Sequence, residues 1–379
     1  MIYLDHAATT PVSRAVAETV AEVLTEGFGN PSAQYPLGEA AKKRLETDRD
    51  IIAQALGCKA DELLFTSCGT ESDNFAISLA LRLGRRVGKH IITTAVEHSA
   101  VLEPCKLLEQ DGYSVTYLKP DRDGSISVSQ VADALREDTV LVSMMLVNNE
   151  TGCIFPVAEV AKLLRERKSQ ALLHTDAVQA FLKIPFSAAT LGADLISLSA
   201  HKIGAPKGVG ALYIGERVNK KAIRPLLAGG GQEGGLRSGT EATAQIAGFA
   251  KAVALRSENL EQKLAHTAAI KAYAEEKLLS IDGVERIGNG AAPHILSLSL
   301  VGYPSANVVT ELGSMGICIS AGSACHRGKL SHVYAAMNLP KKTAAGVLRI
   351  SFSPETTKEE IDALYDALKK HRETRFPML

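Results

Sequence analysis

The sequence lacks a surplus of either charge, a long hydrophobic run and any closely spaced pair of cysteines, and each absence removes a class of protein. Basic and acidic residues balance at 42 and 42 over 379 residues. No overall field therefore draws the chain to nucleic acid or an anionic membrane, and neither is expected as a direct partner. No stretch approaches the roughly 20 consecutive apolar residues of a membrane helix. The opening MIYLDHAATTP has no basic region leading into an apolar core, so a cytoplasmic protein is expected. The cysteines, Cys58, Cys68, Cys105, Cys153, Cys318 and Cys325, form no Cys-x-x-Cys pair. A chain of this length builds its cores without disulfide staples, so most of these thiols are expected to be reduced core residues.

What is present is a 46% apolar composition and an alternating pattern. The length favours two domains, or one large domain with an appendage. RAVAETVAEVL places Val16, Val20, Val23 and Leu24 on one helical face, with Ser13 as N-cap and Gly27 as its end. The runs ELLFT, HIITT, SVTYL, TVLVSMMLV, ALLHTDA, DLISLSA and GALYIG then read as strands. Several are apolar on both faces, as a mostly parallel sheet covered by helices on both sides requires. The fold class is α/β, with a seven-stranded sheet in the large domain. After AGGGQEGGLRSGT a helical pattern begins near Glu241 and is expected to continue unbroken through KLAHTAAIKAYAEEKLLS. HILSLSLVG and GVLRISFS follow as strands of a second sheet. The last helix is expected to start on a Thr357–Glu360 capping box, bury Ile361, Leu364 and Leu368, and end near Lys369 and Lys370. The domains are expected at 13–250 (large) and at 1–12 with 251–379 (small, α+β).

In an open parallel sheet a ligand lies at the carboxyl ends of the strands. The residues there are Gly69 and Thr70 opening a helix, then His98, Asn148 and Asn149, Asp176 and Gln179, and finally Ser199, His201 and Lys202. A carboxylate at the end of a buried strand needs a cationic partner, and a lysine at such an edge is either expelled or kept for chemistry. Lys202 follows Asp176 by one strand-helix-strand unit, which places both at the same edge. This combination matches the needs of pyridoxal 5'-phosphate: a lysine for the Schiff base, a carboxylate for the ring nitrogen, an aromatic ring over the cofactor face, and hydroxyls and amides for the phosphate. Lys202 is the Schiff-base candidate.

YLDHAATTP, FGNPS, TSCGTESDN, EHSAVL, VNNETG, DAVQ, SAHKIGAPKGVGALY, GGGQEGGLRSGT, SAGSAC and RISFS, in that order, resemble the signatures of the cysteine desulfurases of the NifS/IscS type, within the pyridoxal-phosphate-dependent class V aminotransferases. The resemblance spans nearly the whole chain. It implies a type I aminotransferase fold and a homodimer that takes sulfur from L-cysteine and leaves L-alanine. It also implies a protein sulfur acceptor, which in this family serves iron-sulfur cluster assembly, tRNA thiolation or a similar pathway. Carried over by position, it makes Lys202 the aldimine lysine and Asp176 the partner of the pyridinium nitrogen. His98 becomes the stacked acid/base group and Gln179 the partner of the ring hydroxyl. Gly69, Thr70, Ser199 and His201 become the phosphate site, with Thr240 reaching the neighbouring subunit's phosphate. Asn149, which also lies at the cofactor, and Arg349 receive the substrate carboxylate. Cys325, in the basic stretch SAGSACHRGKLSH, becomes the nucleophile that carries the persulfide. Tyr35, Ala205 and a slightly short stretch after Cys325 depart from the family pattern. The alternatives are a selenocysteine lyase or another enzyme of the aminotransferase family, and a sulfur-carrier or scaffold protein.

Overall fold

The computed structural model describes residues 1–322 and 330–377. All seven apolar runs form strands of one sheet, in the order Leu63–Thr66, Gly210–Ile214, Leu195–Ser199, Leu172–Asp176, Thr139–Ser143, His90–Thr94, Ser114–Leu118. Gly210–Ile214 runs against both of its neighbours and the other pairings are parallel. Adjacent residues feed opposite faces: Ile92 and Leu173 join one apolar cluster, Ile91 and Leu172 another. Burial on both faces is why these strands read as continuous apolar runs rather than alternating ones.

TVLVSMMLV is a strand only as far as Ser143. Met144 and Leu146 still donate to the carbonyls of His174 and Asp176, but the Met145 N–H is taken by the carboxylate of Glu97 at 2.9 Å. A side chain there replaces the next rung of the ladder.

Ser320–Ala321, Val347–Ser351, Ile295–Leu300 and Val284–Arg286 form a second, antiparallel sheet. Leu296, Leu298, Ile350, Ile361 and Leu364 share its core. The N-terminal Ile2–Tyr3 pairs in parallel with Ile317–Cys318, and Leu4 is buried in that same core. The first residues of the chain thus belong with its last third.

The helical pattern after Glu241 is not continuous. Helices Thr243–Ser257 and Leu260–Leu279 are separated at Glu258 and Asn259, and Asn259 takes a left-handed φ of 52°. Asparagine tolerates that conformation better than most residues, whereas the alanine-rich flanks carry the same periodicity across the break. Helix Arg14–Thr25 starts on Ser13 and buries Val16 and Val23, but Leu24 is 59% exposed and lies off the buried stripe. In the last helix, Lys358–Thr374, the Thr357–Glu360 capping box and the buried Ile361, Leu364 and Leu368 are present. It runs on past Lys369 and Lys370, so its final turn carries His371 and Arg372. The described cysteines, Cys58, Cys68, Cys105, Cys153 and Cys318, are unpaired. Among the described residues no helix is long and apolar enough to cross a membrane.

Candidate active site

The polar residues that end the parallel strands gather along one edge of the large sheet. Helix Gly69–Gly84 opens there, and its N-cap, Cys68, supplies no side-chain hydrogen bond. A Cβ at Gly69 would lie 3.1 Å from Val178 Cγ2 and 3.3 Å from Ser199 Cβ. A glycine therefore lets the positive end of this helix sit directly against Ser199 and the turn after Asp176. Thr70 is exposed in the first turn and Ser199 is buried at the end of its strand. The arrangement offers backbone N–H groups and hydroxyls to an anion.

Lys202 closes the short turn Ala200–Lys202 that follows strand Leu195–Ser199. Its Nζ donates to the carbonyls of Ala7 at 2.8 Å and Ala8 at 2.6 Å. His201 is held through the same segment: Nδ1 lies 3.0 Å from Thr9 Oγ1, and its carbonyl accepts from Thr10 Oγ1 at 2.7 Å. Burial, then the positive charges of Lys202, Lys183 and Lys207, lower the His201 pKa to about 4. The ring is neutral at physiological pH.

Asp176 is 7% exposed at the end of its strand, and Oδ1 accepts from the Val178 N–H at 2.9 Å. Burial, then the nearby Asp73 carboxylate, push its carboxyl well above the ordinary carboxylate range. A cation beside it would reverse that shift. Beneath it, His174 sits between the hydroxyls of Ser143 at 2.8 Å and Ser197 at 2.9 Å, with Asp73 3.4 Å away. Burial lowers the His174 pKa to about 4 and keeps the ring neutral. His98 is exposed at the N-cap of helix Ser99–Gln110, and its Nδ1 accepts from the Ala100 N–H at 3.1 Å. In the neutral ring the proton is therefore on Nε2, the nitrogen left for chemistry.

From the second sheet Arg349 reaches into the same region. Nη1 donates to the Asn149 carbonyl at 2.9 Å, and Nη2 to Asp5 Oδ1 at 2.9 Å and Ser320 Oγ at 3.0 Å. Its Nε is buried without a partner. Asn148 acts on the backbone around it. Its Nδ2 donates to the Val96 carbonyl and its Oδ1 accepts from the Glu150 and Thr151 N–H groups, which fixes the turn that presents Asn149.

A model of the class-V aminotransferases matches residues 2–364. The chain belongs to the class-V aminotransferase family. It is 41% identical over 375 residues to a cysteine desulfurase IscS of Dictyoglomus turgidum, an alignment that covers 97% of this chain and 94% of that protein. Among solved structures it is similar to a NifS-like protein, with TM-score 0.92 and 35% identity over 99% of this chain and 100% of the other. It is also similar to SspA in complex with cysteine, with TM-score 0.80 and 34% identity over 94% of this chain and 100% of the other. The α/β architecture expected from the sequence is the one these class-V relatives have.

Of the residues singled out by sequence, Gly69, Thr70, His98, Asn149, Asp176, Gln179, Ser199, His201 and Lys202 lie in the turns and helix starts after the parallel strands, and Arg349 joins them from the second sheet. Thr240 is exposed in the segment leading into helix Thr243–Ser257. Cys325 lies outside the described residues. Sequence reasoning assigned nothing to the N-terminal segment 5–10, which supplies the carbonyls under Lys202, the carboxylate on Arg349 and the hydroxyls on His201. The one available signal was an Asp directly after the apolar MIYL. Glu97, fully buried and bonded to Thr94 Oγ1 and the Met145 N–H, was also missed.

Proposed function

We propose that the protein is a cytoplasmic, pyridoxal-phosphate-dependent cysteine desulfurase that converts L-cysteine to L-alanine and holds the sulfur as a persulfide for a protein acceptor. The observation that carries this reading is that the N-terminal segment of a class-V aminotransferase holds both Lys202, on two backbone carbonyls, and Arg349, on Asp5, while the buried Asp176 ends a neighbouring strand.

The residues present fit the cofactor. The Asp176 carboxylate calls for a cation, which the protonated ring nitrogen is. The side-chain-free Gly69 keeps the helix start close to Ser199, where a phosphate takes up N–H groups and hydroxyls. The buried, unpartnered Arg349 Nε is a donor waiting for a carboxylate.

Pyridoxal phosphate, when bound, supplies an electron sink for the bonds around the amino acid Cα. Lys202 would be the amine that holds it and the base for the Cα proton. Asp176 would keep the ring nitrogen protonated, and Gln179 would meet the ring hydroxyl. Thr70, Ser199 and His201 would hold the phosphate. Asn149 and Arg349 bind the substrate carboxylate, a role suited to a planar guanidinium already fixed by Asp5 and Ser320. His98, with Nδ1 held by the Ala100 N–H, would cover the ring and offer Nε2 for proton transfer. Cys325 thiolate attacks the substrate sulfur: the Cβ–S bond breaks, an S–S bond forms on Cys325, and Cβ takes up a proton to give alanine. The large unit, 13–250, holds the cofactor, and the small unit, 1–12 with 251–379, carries the cysteine.

Holoprotein mixed with L-cysteine and a reducing thiol should release alanine and sulfide in equal amounts. Sulfide without matching alanine, or neither product, overturns the reading. Thr240 reaches the phosphate of the neighbouring subunit, so each site needs two chains and light scattering should give a dimer at working concentrations. A fully active monomer would refute that assignment.

A further inference from the structure

The turn after strand Leu172–Asp176 holds a buried lysine for which the reaction above has no use. Lys183 is 3% exposed and donates from Nζ to Gln179 Oε1 at 3.0 Å. Gln179, 4% exposed, donates from Nε2 to the Ala7 carbonyl at 2.8 Å. The same Ala7 carbonyl accepts from Lys202 Nζ. The two ends of an amide are chemically distinct, and only the partners decide which way it points. Here the partners agree. A backbone carbonyl can only accept and the lysine nitrogen donates, so the NH2 end of Gln179 is directed to the Ala7 carbonyl, which it shares with Lys202 Nζ. Ala7 takes one of its two protons.

The backbone supports the same placement. Leu182, the residue before Lys183, has a left-handed φ of 55°, a conformation unfavourable for a non-glycine residue. Its carbonyl accepts from Arg256 Nε at 3.4 Å. The chain tolerates this cost at the position that turns Lys183 inward.

We propose that Lys183 is a positioning residue that locks the Gln179 amide with its donor end toward the cofactor, so that Gln179 can only donate to the ring hydroxyl oxygen and favours its anionic form. This deepens the function proposed above and rests on it. The titratable and charged groups around Lys183 are His6 from the N-terminal segment, His201, Lys202, Arg256, His294 and Arg349. Burial first, then the cations Lys202, Arg256 and Arg349, hold the Lys183 pKa well below the ordinary lysine range. In either protonation state its Nζ has a proton to donate to Gln179 Oε1. Burial and the neighbouring Lys183 also lower the pKa of His6, to about 4, and of His294. Neither ring changes charge near neutral pH.

The test is a pH titration of the visible absorbance of the holoprotein. A donor to the anionic ring oxygen lowers the pH at which the lysine-linked chromophore loses its proton. Lys183→Met removes the lock, and the midpoint should rise by about one pH unit, the size of one hydrogen bond to a charged group. Gln179→Leu should raise it at least as far, and adding Lys183→Met to Gln179→Leu should change nothing more. A lysine that only supports the fold would lower thermal stability in both backgrounds and leave the midpoint in place. An unchanged midpoint in fully loaded Lys183→Met, or additive shifts in the double variant, overturns the proposal. If Lys183→Met does not fold, an unchanged midpoint in Gln179→Leu overturns it equally. A wild-type protein that takes up no cofactor defeats the functional reading itself, and this inference with it.

Discussion

Lys202→Ala should retain its fold and bind pyridoxal phosphate only reversibly, and its desulfuration should fall by about a thousandfold or more. Lys202 is only partly buried, and its Nζ donates to the carbonyls of Ala7 and Ala8. Ala8 is exposed, so water can replace the ammonium there, and the buried Ala7 carbonyl keeps the Gln179 amide as a donor, so the loss to stability is small. The remaining parts of the site, the Gly69 helix start, Ser199, Asp176 and Arg349, do not depend on Lys202 for their positions. The cofactor therefore keeps its phosphate and ring contacts and loses its covalent link. Borohydride treatment followed by gel filtration should leave cofactor on the wild-type chain and none on the variant, as read by absorbance and intact mass. The catalytic loss is large because the same amine both anchors the cofactor and moves the Cα proton. Gln179, which shares the Ala7 carbonyl with it, has no basic nitrogen to take over. A variant that kept a borohydride-stable adduct would assign the anchor to another lysine. One that kept a tenth of wild-type turnover would remove Lys202 from proton transfer.

The parts of this site that were legible in the sequence are those where chemistry and periodicity coincide. Asp176 and Lys202 each follow an apolar run too hydrophobic to be an exposed strand, so a charge at its end had to be explained. The strands themselves were legible because helices cover both faces of the sheet, so consecutive rather than alternate positions of a run are apolar. Contributions from the backbone were not legible. The carbonyls of Ala7 and Ala8 carry no side-chain signature, yet they receive Lys202. Asp5 meets Arg349 across 344 positions of chain, and nothing local to either residue announces the pair. Lys183 reads in sequence as an ordinary surface lysine, and only the left-handed Leu182 turns it inward. The break at Asn259 was hidden for a related reason: a single residue changed conformation between two stretches of the same periodicity.

Cys325→Ser should leave cofactor and substrate binding intact and abolish sulfur removal. In the proposed function binding belongs to Lys202, Asp176 and Arg349, none of which needs the thiol. Cys325 lies outside the described residues; in the described chain before it, strand Ser320–Ala321 pairs with Val347–Ser351, and Ser320 both faces Arg349 in the register and accepts from its Nη2. In the sequence Cys325 follows Ala321 by four positions, and the strand that ends at Ala321 pairs with the one that carries Arg349. The buried thiols are poor competitors. Burial raises the pKa of Cys58 and Cys105 to about 12 and raises that of Cys153, so their thiolates are scarce at neutral pH. Serine cannot carry sulfane sulfur, and its hydroxyl is a weak nucleophile at that pH, so alanine and sulfide production should drop by about a thousandfold or more rather than a few-fold. Brief exposure of the wild-type protein to L-cysteine should add one sulfur, about 32 Da, to the peptide that contains Cys325. Normal turnover by the variant, or sulfur found only on Cys58, Cys68, Cys105, Cys153 or Cys318, would remove the persulfide step and favour a lyase that cleaves the Cβ–S bond without a protein nucleophile.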